Sequence, residues 1–167
     1  MSSDDEAGMM RGRSAARLKE HGGEEIESES MAAKRTLGEA WRTSAGRLTA
    51  RHVIHIAVNS VDDSTSAEVI KSCVRNSLEL ADSLSARSVA YPALGTGRSG
   101  FPMRESALVC REAIHEYTRD QPEGSVREIV FVMISPTDRS EFVRGFLGAH
   151  TPVPGRRSWM SWFRRAS

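Results

Sequence analysis

The chain has 167 residues, which suits one domain and is too short for two independent cores. With 23 basic and 22 acidic side chains the formal charge is +1, so no overall field favours nucleic acid or a membrane surface. No stretch approaches the roughly 20 apolar residues of a membrane-spanning helix, and the acidic start Met1-Ser2-Ser3-Asp4-Asp5-Glu6 lacks the layout of a signal peptide.

The only cysteines, Cys73 and Cys110, each fall inside an apolar-periodic helix pattern. They read as small buried hydrophobes, not as a disulfide framework or a metal site, and the expected location is the cytoplasm. The skew of 20 Arg against 3 Lys is a compositional bias of the whole chain, not a pointer to a site.

In chain order, residues 1–7 form an acidic segment, and no strand is expected before the first helix. Helices are expected at Ser14–Glu20 and at about Glu24–Ala33, separated by Gly22-Gly23, where a helix end favours residues with positive φ. Glu39–Thr43 reads as a short strand, turned by Ser44-Ala45-Gly46. The β-rich run Arg51–Val58 is long enough for a buried strand. Asp62-Asp63-Ser64-Thr65 offers N-cap chemistry, and Val69, Ile70, Cys73, Val74, Leu78, Leu80, Ala81 and Leu84 give the following helix an apolar face. Ser88–Leu94 is the next strand, and Pro102 at an expected N1 position opens a helix to about Tyr117. Glu128–Ile134 is the most hydrophobic strand, after which Ser135-Pro136-Thr137-Asp138 starts a helix carrying Phe142, Val143, Phe146 and Leu147. Strands alternating with helices give an α/β architecture with a parallel or mixed sheet.

The strongest chemical feature is Gly95-Thr96-Gly97-Arg98-Ser99-Gly100 between a strand and a helix. Glycines let backbone N–H groups approach an anion, and a following helix N-terminus adds donors and partial positive charge. A phosphate cradle results, with Thr96 or Ser99 hydroxyls available to assist; the bland alternative is a turn that needs glycine for conformation alone. The spacing also matches the dinucleotide fingerprint of Rossmann folds, which asks for an acidic residue at the end of the next strand, about 20 residues on. Glu116 and Asp120 fall before that strand and Asp138 after it, so the Rossmann-type alternative is poorly supported.

The segments Val53-Ile54-His55, Asn76-Ser77-Leu78-Glu79-Leu80-Ala81 and Ser88–Gly97 with Gly100-Phe101-Pro102 resemble macro domains. So do Gly38-Glu39-Ala40, Thr43 and the closing strand Glu128–Ile134, and the resemblance covers about residues 8–148. It implies a three-layer α/β/α fold with a mixed sheet, and a cleft at the C-terminal strand edges that binds ADP-ribose or a related derivative. By this resemblance Gly95, Thr96, Gly97, Arg98, Ser99, Gly100 and Phe101 wrap the diphosphate and distal ribose. A second loop, Met10–Ala15, covers the diphosphate from the other side through Gly12, Arg13, Ser14 and Ala15. The implied partner is ADP-ribose or an ADP-ribosylated protein, with no cofactor, no metal and no nucleic acid.

The departures from the family concern its beginning. Macro domains start with one or two strands carrying an Asp for the adenine amino group, then a strand ending in an Asn-Ala-Ala-Asn-like motif. This chain is expected to lack those segments, and so to be N-terminally truncated. The missing strand lies mid-sheet, between the counterparts of Val53–Val58 and Val89–Leu94. Each buried backbone group left without a partner there would cost roughly 1–3 kcal/mol. A start upstream of Met1 is the favoured explanation; direct pairing of the two strands, or a decayed inactive copy, are the alternatives.

In the second loop only Gly12 remains of the family's glycines, and Ala15 stands where the hydrolase branch has Asp. Binding is therefore expected ahead of ADP-ribosyl hydrolysis (de-mono-ADP-ribosylation or O-acetyl-ADP-ribose deacetylation), for which no catalytic residue can be named. Ser99, Ser106 and Cys110 lack an evident base, and His52 and His55, three apart on a strand, point to opposite faces. Arg11, Arg13 and Arg98 either pair with diphosphate oxygens or are merely exposed loop residues. The domain is expected to span 8–149. The tail 150–167, with Trp159, Trp162 and Phe163 among arginines, is expected to be a disordered end; the alternative is a segment that lies on a membrane surface or a partner.

Overall fold

The computed structural model describes residues 1–32 and 34–148. Among these residues, five strands and five helices follow one another as β1 (Ser2–Asp5), α1 (Arg13–Gly22), α2 (Glu25–Ser30), β2 (Ala40–Thr43), β3 (Val53–Asn59), α3 (Ala67–Ser83), β4 (Ser88–Pro92), α4 (Met103–Asp120), β5 (Glu128–Val132) and α5 (Pro136–Leu147). The architecture is α/β, three layers, with a mixed sheet. Among the described residues no helix is long and apolar enough to cross a membrane.

All seven residues of β3 are buried, as befits an apolar run covered on both faces. It pairs parallel with β1, Ser2 opposite His55 and Asp4 opposite Ala57, and antiparallel with β2, Ala40 opposite Ile56. On the far side β4 pairs parallel with β5 from Ser88↔Glu128 to Pro92↔Val132. Strand β1 lies between the two ladders and touches β4 as well as β3; the Met1 nitrogen donates to Ala90 O at 2.6 Å.

This corrects the reading of residues 1–7 as an acidic segment outside the domain. The mid-sheet place expected to be vacant is filled by Ser2–Asp5, so β3 and β4 do not pair directly. The strand escapes propensity because Ser-Ser-Asp-Asp contains no β-branched or aromatic residue. Polar chemistry holds it instead. Ser2, Asp4 and Asp5 are all buried. Ser2 Oγ donates to Asp4 Oδ1 at 2.6 Å, and Asp4 Oδ2 shares a hydrogen bond with His55 Nδ1 at 2.5 Å. His55 Nε2 meets Thr43 Oγ1 at 2.8 Å, and Trp41 stacks on the imidazole with ring centroids 5.4 Å apart. Burial raises the Asp4 pKa above the usual carboxylate value, against the opposing pull of His55 and Ser2. One buried polar relay thus ties β1, β3 and β2 together.

The main core lies on one sheet face, where Ile54, Ile56, Val58, Val89, Tyr91 and Ile129 meet Ile70, Cys73, Val74 and Leu78 of α3 and Cys110, Ala113, Ile114 and Tyr117 of α4. Helix α5 packs Phe142 and Phe146 around Phe131, with centroids at 4.7 and 5.5 Å. A second, smaller core of Met10, Ala15, Ile26, Ala45 and Val53 lies beneath α1 and α2.

Several boundaries differ from expectation. Helix α2 stops at Ser30, short of Ala33, with Ile26 and Ser30 its buried residues. Helix α3 is capped by Ser66, whose Oγ accepts from Val69 N. The stretch expected to offer the cap, Asp62-Asp63-Ser64-Thr65, lies just ahead of it, and there Asp62 accepts from the hydroxyls of Ser60 and Ser64. Strands β4 and β5 end at Pro92 and Val132, two residues earlier than the apolar runs suggest. The tail 150–167 lies outside the described residues.

Candidate functional site

A cleft of about 320 Å³ opens where the C-terminal ends of β3, β4 and β5 converge. Residues 11–15 form one wall and residues 95–98 the other. Ser3, Asn59, Pro92 and Ala93 line it between them, with Met103, Val132, Met133, Ile134 and Asp138 completing the lining.

The second wall is a braced turn. Gly95 adopts φ 69° and Gly100 φ 63°, conformations that L side chains rarely take. Gly95 O accepts from Phe101 N at 2.9 Å, and Gly97 O from Gly100 N at 3.2 Å. A Cβ at Gly95 would stand 3.0 Å from the Thr65 methyl and 3.1 Å from Ile70 Cδ1, tight contacts that add to the constraint set by φ. Gly97 differs: a Cβ there meets nothing within 4 Å and would project into open space beside the cleft.

The two hydroxyls expected to assist have partners within the protein. Thr96 Oγ1 donates to Ala93 O at 3.1 Å, and Ser99 Oγ donates to Asn59 Oδ1. Both brace the loop. Ser106 Oγ, from the first turn of α4, donates to Leu94 O at 2.7 Å and fixes the strand exit.

The first wall is the N-terminus of α1. Gly12 is its N-cap, with φ −71° and ψ 153°, no side chain caps the helix, and no acidic residue occupies the first turn. Its first amides, and the partial positive charge they carry, are presented where Gly12, Arg13, Ser14 and Ala15 line the cleft. Ala15 is fully buried in the smaller core, which pins this end of the helix.

Arginines occupy both walls: Arg11 and Arg13 on the first, Arg98 on the second. Asp5 Oδ2 accepts from Arg11 Nε at 3.0 Å and also from Nη2. The Asp5 carboxylate holds the Arg11 pKa above its ordinary value, chiefly through this hydrogen bond. Arg98 Nη2 donates to the Asp63 carboxylate at 2.6 Å.

Of the residues expected to bind ligand, the structure brings Gly95, Thr96, Gly97 and Arg98 together with Gly12, Arg13, Ser14 and Ala15. Ser99, Gly100 and Phe101 stand outside the lining, and Phe101 packs against the main core. Ser3, Asn59, Pro92, Ala93, Met103, Val132, Met133, Ile134 and Asp138 were not foreseen. Asn59, Met133 and Ile134 had a usable signal, since each closes or follows an apolar strand run; Ser3 had none.

The weighed nucleophiles are structural. Ser106 and Cys110 are fully buried, and burial pushes the Cys110 thiol up to about 12 despite its hydrogen bond with Ser106. The carboxylate among the lining residues is that of Asp138, in the first turn of α5, whose backbone N–H is capped by Ser135 Oγ at 3.0 Å. Among the described residues no group of three or more His, Cys, Asp or Glu is placed to hold a metal.

Comparison with known proteins agrees with this geometry. The family model for the macro domain matches residues 3–110. An uncharacterised protein of Mycobacterium tuberculosis is 39% identical over 120 residues, which is 71% of this chain but only 32% of that relative. A macro domain-containing protein of Streptomyces nogalater is 40% identical over 109 residues, 64% of this chain and 57% of its own length. In structure, the chain is similar to an Oceanobacillus iheyensis macrodomain (TM-score 0.75, 22% identity, covering 87% of this chain and 80% of that one). It is equally similar to a Trypanosoma brucei macrodomain in complex with ADP-ribose (TM-score 0.75, 16% identity, 84% and 60% covered). With its family model spanning β1 to α4 and its strands and cleft arranged as described, the chain belongs to the macro domain family.

Proposed function

We propose that the cleft binds ADP-ribose or a closely related derivative, free or attached to protein, with its diphosphate between the two walls. One observation carries this reading. The uncapped N-terminus of α1 and the Gly95–Arg98 turn line the same cleft at the C-terminal ends of the strands, with arginine on both walls. Oriented amides, a helix N-terminus and guanidinium groups together form an environment for a compact dianion. The apolar Val132, Met133 and Ile134 at the other side offer a surface for a nucleoside. Membership of a family that includes an ADP-ribose-bound structure supports the same ligand.

Binding stands ahead of hydrolysis because, among the described residues, no nucleophile–base pair lines the cleft. The free, buried thiols of Cys73 and Cys110 support a cytoplasmic setting. Calorimetric titration with ADP-ribose tests the assignment on the native chain and on Gly97→Val. Saturable binding to the former, weakened at least about tenfold in the variant, is expected, because the valine adds bulk at a residue that lines the cleft and whose Cβ meets no protein atom. Equal affinity of the two proteins, or no binding by the native chain, refutes it. Release of ADP-ribose from a modified protein would transfer the assignment to the hydrolase class.

A further inference from the structure

Asp5 is the last residue of β1 and its side chain is 2% exposed, whereas the side chain of Arg11 beside it is 42% exposed and lines the cleft. The buried carboxylate divides its work between its two oxygens. Oδ1 accepts from Ala7 N and Met9 N, both at 3.0 Å, and so folds the segment leaving β1. Oδ2 accepts from Nε and Nη2 of Arg11. A guanidinium carries five N–H donors in a rigid plane, so two directed at Asp5 leave three, one on Nη2 and two on Nη1. Anchoring Nε and Nη2 fixes the plane in which those remaining donors lie. A free arginine would lose the entropy of several rotors on meeting an anion; this one has lost it on folding. Lysine could not substitute, because an ammonium has no second edge to present. Across the cleft, Arg98 is also paired with a carboxylate, that of Asp63 from a different loop, through Nη2 and at a partly exposed position.

We propose that Asp5 is a positioning residue, which fixes the Arg11 guanidinium on the first wall as a hydrogen-bonding contact for a diphosphate. The inference deepens the assignment above and rests on it for the nucleoside part of the ligand only; the anion part can be tested alone.

Asp5→Asn isolates the effect. The asparagine Oδ1 still accepts from Ala7 and Met9, while its NH2 faces the Arg11 donors and cannot accept them. Dissociation constants for inorganic pyrophosphate and for ADP-ribose are measured by calorimetry for the native chain, Asp5→Asn, Arg11→Gln and the double variant. Asp5→Asn and Arg11→Gln should each weaken both ligands by about tenfold, and the double variant should be no weaker than Arg11→Gln. A merely structural Asp5 would weaken binding to the same extent in both backgrounds, and that additivity overturns the proposal. If Asp5→Asn does not fold, Arg11→Lys replaces it: affinity as low as that of Arg11→Gln supports a carboxylate-held fork, and native affinity overturns it. Pyrophosphate bound with this dependence but ADP-ribose not bound keeps the positioning role and refutes the nucleotide assignment. ADP-ribose bound equally by all variants does the reverse, and no binding of either ligand refutes both.

Discussion

Gly95 and Gly97 stand two residues apart in one turn and answer to different demands. Gly95, at φ 69° with Thr65 and Ile70 close behind it, is a structural glycine: Gly95→Ala should cost about 1–2 kcal/mol from the backbone conformation alone. Gly97 has neither constraint, so Gly97→Val should leave the thermal midpoint unchanged while it weakens ADP-ribose. Paired thermal unfolding and titration check both halves. The importance of this loop was legible in the sequence, because glycines between a strand run and a helix run mark a backbone that must come close to something. The roles of its hydroxyls were not. Periodicity does not fix side-chain direction in a turn, and Thr96 and Ser99 turn inward to Ala93 and Asn59.

Asp82, far from the cleft, carries a separate prediction at this scale. Burial pushes its pKa up, but hydrogen bonds from Tyr117, Ser125 and Val126 outweigh that and leave it below the ordinary value. The Oδ1 atom alone accepts from Ser125 N at 2.7 Å, Ser125 Oγ at 2.9 Å and Val126 N at 3.2 Å. For an acid with a depressed folded pKa, the stabilisation is fully present above the unfolded value of about 3.9 and is lost as pH falls through the folded one. Asp82→Asn should therefore destabilise the chain by about 1–3 kcal/mol at pH 7, with the gap to native shrinking below about pH 4. Denaturant unfolding at pH 7 and pH 3 measures it; a gap that does not narrow contradicts the account.

Among elements, β1 is the one that propensity could not find. Four small polar residues offer no pattern of alternation, yet they occupy the middle of the sheet because Asp4 meets His55 there. The partner could be read as a buried strand from its own apolar neighbours, but the pairing spans 51 positions in sequence and is invisible to local rules. Removing one member of a fully buried pair leaves the other without compensation, so Asp4→Ala should cost about 3–5 kcal/mol in denaturant unfolding. A loss below about 1 kcal/mol would show that β1 is held by its backbone ladder alone. The longer strands and helices were legible because their apolar periods were long and regular. Their ends were less so: β4 and β5 give up their last apolar residues to the cleft, where Ala93, Met133 and Ile134 serve as lining instead of ladder.

At the scale of the molecule, the sheet order brings together what the sequence keeps far apart. Residues 11–15 and 95–98 face one cleft because β1 sits beside both β3 and β4, so the segment leaving β1 and the turn leaving β4 emerge on the same edge. The resemblance to macro domains predicted that juxtaposition, and the structure produces it with a central strand of unusual composition. The central claim is that these two segments form one site for a single ligand. Backbone amide shift mapping by NMR during titration with ADP-ribose tests it most directly. The amides of Gly12–Ala15 and of Gly95–Arg98 should move together, along one saturation curve, while those of Ser125 and Val126 stay in place. Shifts confined to one wall, two different saturation curves, or no shifts in either wall would contradict it.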